Sequence, residues 1–294
     1  MYAIQHGAKY IYDTDDNIAP IHSLSKFFDY DTYKFGLVLD CQNSSRIINP
    51  YAHFGQPLIW PRGFPLIEIN ENHSNNYIGG KRKTSTVQHG ILNGDPDIDS
   101  IFRLTKSKKN KRIDVNFDES SPSIQLPSFR MTPYSSKNTL FHYQAFWSLY
   151  LPSTVSSRST DIWRSYWAQR LLWLLDDTVT FFGPNAQQFH NQISLLRDFE
   201  EEKNMYSQTE KLIDFLFEWK CTKSKFYECV VQLSTQMAEK KFWDYEEVEA
   251  IKSWLKDLTE IGYKEPILQN TNLKSFSLCG SKQFQNISKV IFII

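Results

Sequence analysis

Apolar residues recur along this chain with two different spacings, and the spacing changes near residue 158. Before that point, short apolar runs such as residues 10–12 and 35–39 alternate with polar loops, which predicts β-strands joined by turns. Residues 158–175 carry apolar side chains at helical spacing, with Asp161 in the first predicted turn, where a carboxylate favours the positive end of a helix dipole. The pattern therefore predicts an α/β region that ends in a long apolar helix.

Three further helices are predicted after residue 198, because apolar residues recur every three or four positions opposite a charged face. The three apolar stripes are Leu212, Phe215, Leu216 and Trp219; Phe226, Val230, Leu233 and Met237; and Val248, Ile251, Leu255 and Leu258. We therefore predict an α/β domain over residues 1–197, a helical annex over 198–269 and a loose polar tail over 270–294. Residues 2–8 have the pattern of a helix end, and we expect further protein before Met1, since domains rarely open within a helix.

Composition narrows the possible functions. Lys plus Arg and Asp plus Glu number 33 each, so the net charge favours neither nucleic acid nor an acidic partner. No apolar run approaches the roughly 18 residues of a membrane-spanning helix, and the first residues lack a signal-peptide pattern. The four cysteines, Cys41, Cys221, Cys229 and Cys279, have no metal-site spacing, so neither a zinc site nor a disulfide framework is predicted.

Three carboxylates, Asp13, Asp15 and Asp16, follow the first predicted strand and form what we call the acidic triplet. Such side chains repel one another unless a positive charge lies among them, and oxygen ligands suit Mg²⁺ or Mn²⁺. Ligands in open α/β sheets gather beyond the carboxyl ends of strands, where a cation can neutralise a leaving diphosphate. The triplet therefore predicts a metal and sugar-nucleotide site, with a solvated acidic turn as the alternative.

Five longer stretches carry a resemblance to a known family. They are YAIQHGAKYIYDTDDN, NPYAHFGQPLIWPRGFPL, VQHGILNGDPDIDSIFRLT, MTPYSSKNTLFHYQAFWSLYLP and RSTDIWRSYWAQRLLWLL, beginning at residues 2, 49, 87, 131 and 158. Together they resemble the plant STELLO proteins and their animal and protist relatives, from residue 2 to about residue 220. That family is in turn distantly similar to the reversibly glycosylated polypeptides, which are UDP-arabinopyranose mutases.

The resemblance implies a GT-A-like glycosyltransferase fold, related to the Rossmann fold and here lacking its N-terminal nucleotide-binding unit. It implies a UDP-sugar donor, a glycan acceptor and Mn²⁺ or Mg²⁺ as cofactor. It also implies a Golgi membrane location, with the anchor upstream of this chain. Because the uridine-binding unit is expected upstream as well, we expect this polypeptide alone to bind nucleotide sugars poorly.

The resemblance also assigns roles to single residues. The acidic triplet is expected to hold the cation and the diphosphate, and Asp161 to act as the base near the acceptor. Arg62 of the Arg-Gly-Phe-Pro loop and His89 of the His-Gly loop are expected to contact the nucleotide. The structural alternatives are a helix N-terminal residue for Asp161, a surface arginine for Arg62 and a buried structural histidine for His89. The alternating aspartates of residues 95–99 either contact the hydroxyl groups of an acceptor or simply form a turn at Asp95-Pro96.

Two other functions stay open on the sequence. A non-catalytic Golgi scaffold of transferase fold would assist assembly of a polysaccharide synthase complex, as the plant relatives are expected to do for cellulose synthase. A mutase is the third alternative, but Leu66, Ile67 and Glu68 stand where the mutases carry a second arginine. The sequence therefore favours a glycosyltransferase.

Overall fold

The structure, a computed structural model, describes residues 1–39, 45–69, 77–106, 113–189 and 194–269, together with the backbone of 285–289. Within these residues the chain forms a nine-stranded sheet with helices around it, which confirms the predicted mixed α/β class. The strands are β1 Tyr10–Asp13, β2 Ile18–Pro20, β3 Tyr33–Leu39, β4 Tyr77–Lys83, β5 Val87–Gly94, β6 Ile124–Gln125, β7 Thr139–His142, β8 Val179–Gln188 and β9 Gln285–Lys289.

The sheet combines parallel and antiparallel pairs. Its order is β1-β7-β5-β8-β6-β3-β4-β9, and β2 pairs with β8 outside this path. The pairs β5–β8 and β3–β6 are parallel, and the other strand pairs are antiparallel. All residues of β5 and all but one of β8 are buried, as expected of strands that are covered on both faces. The carboxyl ends of these two central strands therefore meet at one edge of the sheet.

The described α-helices are α1 Tyr2–Gln5, α2 Leu24–Phe27, α3 Pro50–His53, α4 Ser100–Lys106, α5 Thr160–Leu172, α6 Leu195–Glu218, α7 Phe226–Glu239 and α8 Tyr245–Glu260. Short 3₁₀ helices cover Leu66–Glu68, Tyr143–Leu149 and Trp173–Leu175. α5 confirms the apolar helix predicted over residues 158–175. On one side of α5, Arg164 packs on Phe141 of β7, and on the other side Trp167 contacts Trp243, which lies just before α8. Because α5 is covered on both sides, it is buried from Asp161 to Leu172.

The three amphipathic helices predicted after residue 198 are confirmed as α6, α7 and α8. Their apolar stripes are buried, as Leu212, Leu233 and Ile251 show, and they belong to the same hydrophobic core as α5. Burying such stripes supplies most of the stability of helices of this kind. The helical part therefore packs directly on the α/β part, and one core extends through both.

The structure contains one disulfide that the cysteine spacing did not predict. Cys221 and Cys229 form a disulfide across the connection between α6 and α7, with a Cα–Cα distance of 5.4 Å. Cys221 lies in the connection after α6 and Cys229 in the first turn of α7, so the conformation of that connection, which the spacing alone does not indicate, decides whether they meet. Cys41 and Cys279 lie outside the described residues.

Replacing Cys221 and Cys229 together by alanine is expected to lower the free energy of unfolding by about 2 kcal/mol. A bridge between residues eight positions apart limits the conformations of the unfolded chain, and its loss restores that entropy. Urea unfolding measures the difference. Wild-type protein under reducing conditions is the control and should match the variant; an unchanged unfolding midpoint in both would contradict the prediction.

Two further expectations concern membrane contact and the tail. None of the described helices is both long and apolar enough to cross a membrane. In the predicted tail, residues 270–284 and 290–294 lie outside the described part, and Gln285–Lys289 form β9, which pairs antiparallel with β4.

Candidate functional site

A cleft of about 440 Å³ lies at the edge where β1, β5 and β8 end. Open α/β sheets bind their ligands at such an edge. Its lining residues are Asp15, Asp16, Asn17, Arg62, Asp95, Asp97, Arg103, Ser136, Lys137, Leu151, Ser157, Arg158, Thr160, Asp161 and Gln188. Carboxylates and cationic side chains make up more than half of this lining, so the cleft suits a charged, polar ligand.

The acidic triplet is divided between two environments. Asp13, the last residue of β1, forms an ion pair with the buried Arg164 of α5 at 3.2 Å. Asp15 and Asp16 line the cleft itself. Burial raises the pKa of Asp15, and the neighbouring Asp97 and Asp161 raise it further, whereas Lys137 lowers it. Negative charge therefore accumulates around Asp15, as expected where a positively charged ligand binds.

The described residues do not form a closed cage for a metal, since they contain no group of three His, Cys, Asp or Glu side chains placed to hold one. Oδ2 of Asp13 pairs with Arg164, and Asp13 does not line the cleft, so its role as a metal ligand stays a prediction. Mg²⁺ commonly binds through one or two carboxylates and completes its shell with water and substrate phosphates. Asp15 and Asp16 are adjacent in the chain and both line the cleft, so they fit a cation that is bound partly by the protein and partly by the substrate.

Arg62 lines the cleft and binds two carboxylates, those of Asp97 and Asp161. Its Nε and Nη2 donate to the two oxygens of Asp97 at 2.9 and 3.1 Å, and Nη1 and Nη2 donate to the two oxygens of Asp161 at 3.1 and 2.9 Å. Nη1 also donates to the carbonyl of Arg158. All five N–H donors of the guanidinium are thereby engaged. The contact between Arg62 and phosphate stays a prediction, and this arrangement favours a role in positioning Asp97 and Asp161.

Asp97 is an anion held in place by its neighbours. Burial would raise the pKa of its carboxyl group, but the charges of Arg62 and Lys137 outweigh burial and hold the pKa well below its usual range. A permanently charged carboxylate beside Asp15 adds to the negative potential of the cleft.

Asp161 lies in the first turn of α5, as predicted, and lines the cleft; its role near an acceptor stays a prediction. Besides the bonds from Arg62, its Oδ2 accepts from the backbone N–H of Ser136 at 3.1 Å. Ser159 precedes α5 but makes no capping hydrogen bond to it.

Gly63 allows the start of α5 to lie against the loop that carries Arg62. Its φ is +84°, and a Cβ there would lie 2.3 Å from Cγ2 of Ile162. The Arg-Gly-Phe-Pro loop thus brings Arg62 and Asp161 together because its second residue has no side chain.

His89 lies in β5 behind the cleft and is not among its lining residues. Its Nδ1 is 2.8 Å from the hydroxyl of Thr139. Burial lowers the pKa of His89 to about 4, so the ring is neutral at pH 7. The structure thus places His89 as a buried histidine of the central sheet, and its predicted contact with a ligand stays a prediction.

The alternating aspartates of residues 95–99 have three different partners. Asp95 pairs with Arg103 at 2.5 Å, Asp97 pairs with Arg62, and Asp99 accepts from the indole of Trp60 at 2.5 Å. Only the first two line the cleft.

Sequence reasoning missed several lining residues, chiefly Lys137, Arg158 and Gln188. Arg158 is held by the buried Glu202 of α6, to which its guanidinium donates at 2.5 and 2.9 Å. Lys137 had a weak signal, because the polar run Ser-Ser-Lys-Asn interrupts an aromatic-rich stretch. Gln188 and Glu202 carried no signal of their own.

Comparisons with known proteins support the resemblance seen in the sequence. A family model described as STELLO glycosyltransferases matches residues 158–287. Two proteins of Arabidopsis thaliana, "Probable glycosyltransferase STELLO1" and "Probable glycosyltransferase STELLO2", are 42% and 40% identical to this chain over 285 residues. These alignments cover 93% of the chain but 36% and 37% of the relatives, so the chain spans about a third of their length.

Proposed function

This chain belongs to the STELLO glycosyltransferase family, and we propose that its cleft transfers a sugar from a UDP-sugar to a glycan acceptor with a divalent cation. The observation that carries the proposal is that Asp161 lines the same cleft as Asp15 and Asp16, although it lies far from them in the chain. The GT-A fold, the donor, the acceptor and the cation are all parts of this proposal.

On the donor side, Asp15 and Asp16 would hold Mg²⁺ or Mn²⁺. Such a cation neutralises the charge that develops on a leaving diphosphate. Burial raises the pKa of Asp15, and the neighbouring charges of Asp97 and Asp161 raise it further. These carboxylates therefore supply the negative potential that recruits a cation.

On the acceptor side, Asp161 would act as the base of an inverting reaction. It accepts the proton of the acceptor hydroxyl while that oxygen bonds to the anomeric carbon and the bond to the diphosphate breaks. Arg62 and the N–H of Ser136 hold the carboxylate at fixed orientation. Each carboxylate oxygen has two lone pairs, so Oδ1, which accepts from Arg62 at 3.1 Å, keeps capacity for the substrate proton.

The scaffold alternative has less support from the structure. It would use the helical part for partner binding, but the apolar stripes of α6, α7 and α8 are buried in the core. The Cys221–Cys229 disulfide supports the proposed Golgi location, since disulfides persist in oxidising compartments such as the secretory lumen.

Replacing Asp15 and Asp16 together by alanine is expected to abolish the stimulation of UDP release by Mn²⁺ or Mg²⁺, because both proposed cation ligands are lost. UDP release from a panel of UDP-sugars, with and without chelator, measures this effect. Acidic pH should weaken cation binding to the wild type already above the usual Asp range, because burial raises the pKa of Asp15 and protons then compete with the cation.

The control is Asp176→Ala, a substitution in the turn before β8 and outside the cleft lining. Cation-dependent release should persist in this control. Equal release by the double variant and the wild type would contradict the proposed donor and cation site.

A further inference from the structure

Lys137 enters the cleft without a close ion pair. Its Nζ lies 3.9 Å from Oδ2 of Asp15 and 3.7 Å from Oδ1 of Asp97, both beyond hydrogen-bond distance. The side-chain nitrogen of Gln188 donates to the carbonyl of Asp95, and its side-chain oxygen accepts from Nζ of Lys137 at 3.1 Å. Only 17% of the Lys137 side chain is exposed. An ammonium group has three donors, so Lys137 keeps donors for a ligand.

The other cations that line the cleft are held by protein acceptors. All five donors of Arg62 are engaged, as described above. Arg103 donates to Asp95 at 2.5 Å and to the carbonyl of Pro96 at 2.8 Å. Arg158 donates twice to Glu202. Of the four cations in the lining, Lys137 is thus the one whose charge is not fixed in a short contact with a carboxylate.

The turn that carries Lys137 is fixed on both sides. On one side, Ser136 donates its N–H to Asp161, and its hydroxyl accepts from Arg164 at 3.0 Å. On the other, Asn138 is fully buried with φ +66°, a conformation that asparagine tolerates better than most residues.

The side chain of Asn138 also bonds to three strands around it. It donates to the carbonyl of Gly90 at 2.8 Å and to Asn185 at 2.6 Å, and it accepts from the hydroxyl of Tyr12 at 2.8 Å. Tyr12 lies in β1, the strand that leads into the acidic triplet. The same network therefore positions Lys137 and the proposed cation ligands relative to each other.

We propose that Lys137 binds the phosphate groups of the donor, a nucleoside diphosphate, opposite the cation ligands Asp15 and Asp16. The assignment rests on the proposed function and adds the residue that recognises the diphosphate. Phosphate oxygens are strong acceptors for an ammonium group, and a charge-assisted contact is about twice as strong as a neutral hydrogen bond. Donor binding would draw Nζ from its distant contacts with Asp15 and Asp97 to the phosphate, which leaves Asp15 to the cation.

The experiment compares binding of UDP and of inorganic pyrophosphate, each with Mg²⁺, by isothermal titration calorimetry. Lys137→Met keeps the length of the side chain and removes its charge, and we expect it to weaken both ligands by about tenfold or more. Lys137→Arg keeps the charge and should restore part of the affinity. The matched control is Lys252→Met, which makes the same change at an exposed lysine of α8 that pairs with Glu249 at 2.7 Å.

A second measurement uses the wild-type protein, so it does not depend on the folding of a variant. Pyrophosphate should slow acetylation of Lys137 by acetic anhydride, followed by mass spectrometry, and should leave acetylation of Lys252 unchanged. Equal affinity in Lys137→Met and wild type, or no protection of Lys137, would overturn the assignment of Lys137 alone. A wild-type chain that does not bind pyrophosphate would instead contradict the proposed diphosphate site, whatever its affinity for UDP.

Discussion

Replacing Asp161 by asparagine is expected to reduce the rate of sugar transfer by about 10²–10⁴-fold, the usual contribution of a positioned general base. Asparagine has nearly the same shape but cannot take the proton of an acceptor hydroxyl. Its amide nitrogen would also face a donor, either Arg62 or the N–H of Ser136, where the carboxylate oxygens now accept. Turnover of a UDP-sugar with acceptor, and the Kd for UDP, should be measured together. The loss should fall on turnover, with little change in Kd.

Asp214→Asn is the matched control for this substitution. Asp214 pairs with Arg46 at 3.0 Å on the surface, with both side chains at least half exposed, so the same chemical change is made outside the cleft. We expect this control to turn over at the wild-type rate. If Asp161→Asn transferred sugar as fast as Asp214→Asn, the assignment of Asp161 as the base would be wrong and a positioning role beside Arg62 would replace it.

The parts of the site with local signals could be predicted from the sequence. β1 and the acidic residues after it form a short apolar run followed by three carboxylates, and α5 combines an early Asp161 with apolar residues at helical spacing. In both cases the physical cause lies within a few neighbouring residues. The structure brings Asp15, Asp16 and Asp161 to one cleft, and their roles there stay predictions.

The pairing of charges could not be predicted, because it depends on residues far apart in the chain. The acceptors of Arg62 lie 35 and 99 positions away, and Asp13 pairs with Arg164 across 151 positions. A sequence shows that Arg62 is cationic but not which acceptors already use its donors. For the same reason the sequence suggested a three-carboxylate metal site, whereas packing leaves two carboxylates facing the cleft.

Burial was the second property that the sequence did not provide. The sequence left His89 either as a ligand contact or as a buried structural histidine, and only the structure shows that it lies in a fully covered strand, where desolvation keeps its ring neutral. Lys137 belongs to no recognisable motif, and the role proposed for it rests on the fixed turn around it and on the engagement of the neighbouring arginines.

Replacing Arg62 by methionine is expected to cost about 3–5 kcal/mol of folding stability, the usual effect of removing one partner from a buried ion pair. Arg62 is 3% exposed, and its loss leaves the buried carboxylates of Asp97 and Asp161 facing each other without their shared cation. Those carboxylates would have to bind protons or water, and the ion pair that joins the Arg-Gly-Phe-Pro loop to Asp161 of α5 would be lost. The free energy of unfolding in urea at pH 7 measures the cost.

The variant Arg46→Met makes the same change at the exposed Arg46–Asp214 pair and is expected to alter stability by less than about 1 kcal/mol. The contrast between the two variants isolates burial, since both remove one arginine from a carboxylate. Adding Asp97→Asn to Arg62→Met removes one of the two stranded charges and should recover part of the lost stability, because the repulsion between Asp97 and Asp161 then disappears. If Arg62→Met and Arg46→Met lowered the folding stability by the same small amount, the carboxylates of Asp97 and Asp161 would not depend on Arg62. The proposed role of Arg62 in positioning Asp161 would then be wrong.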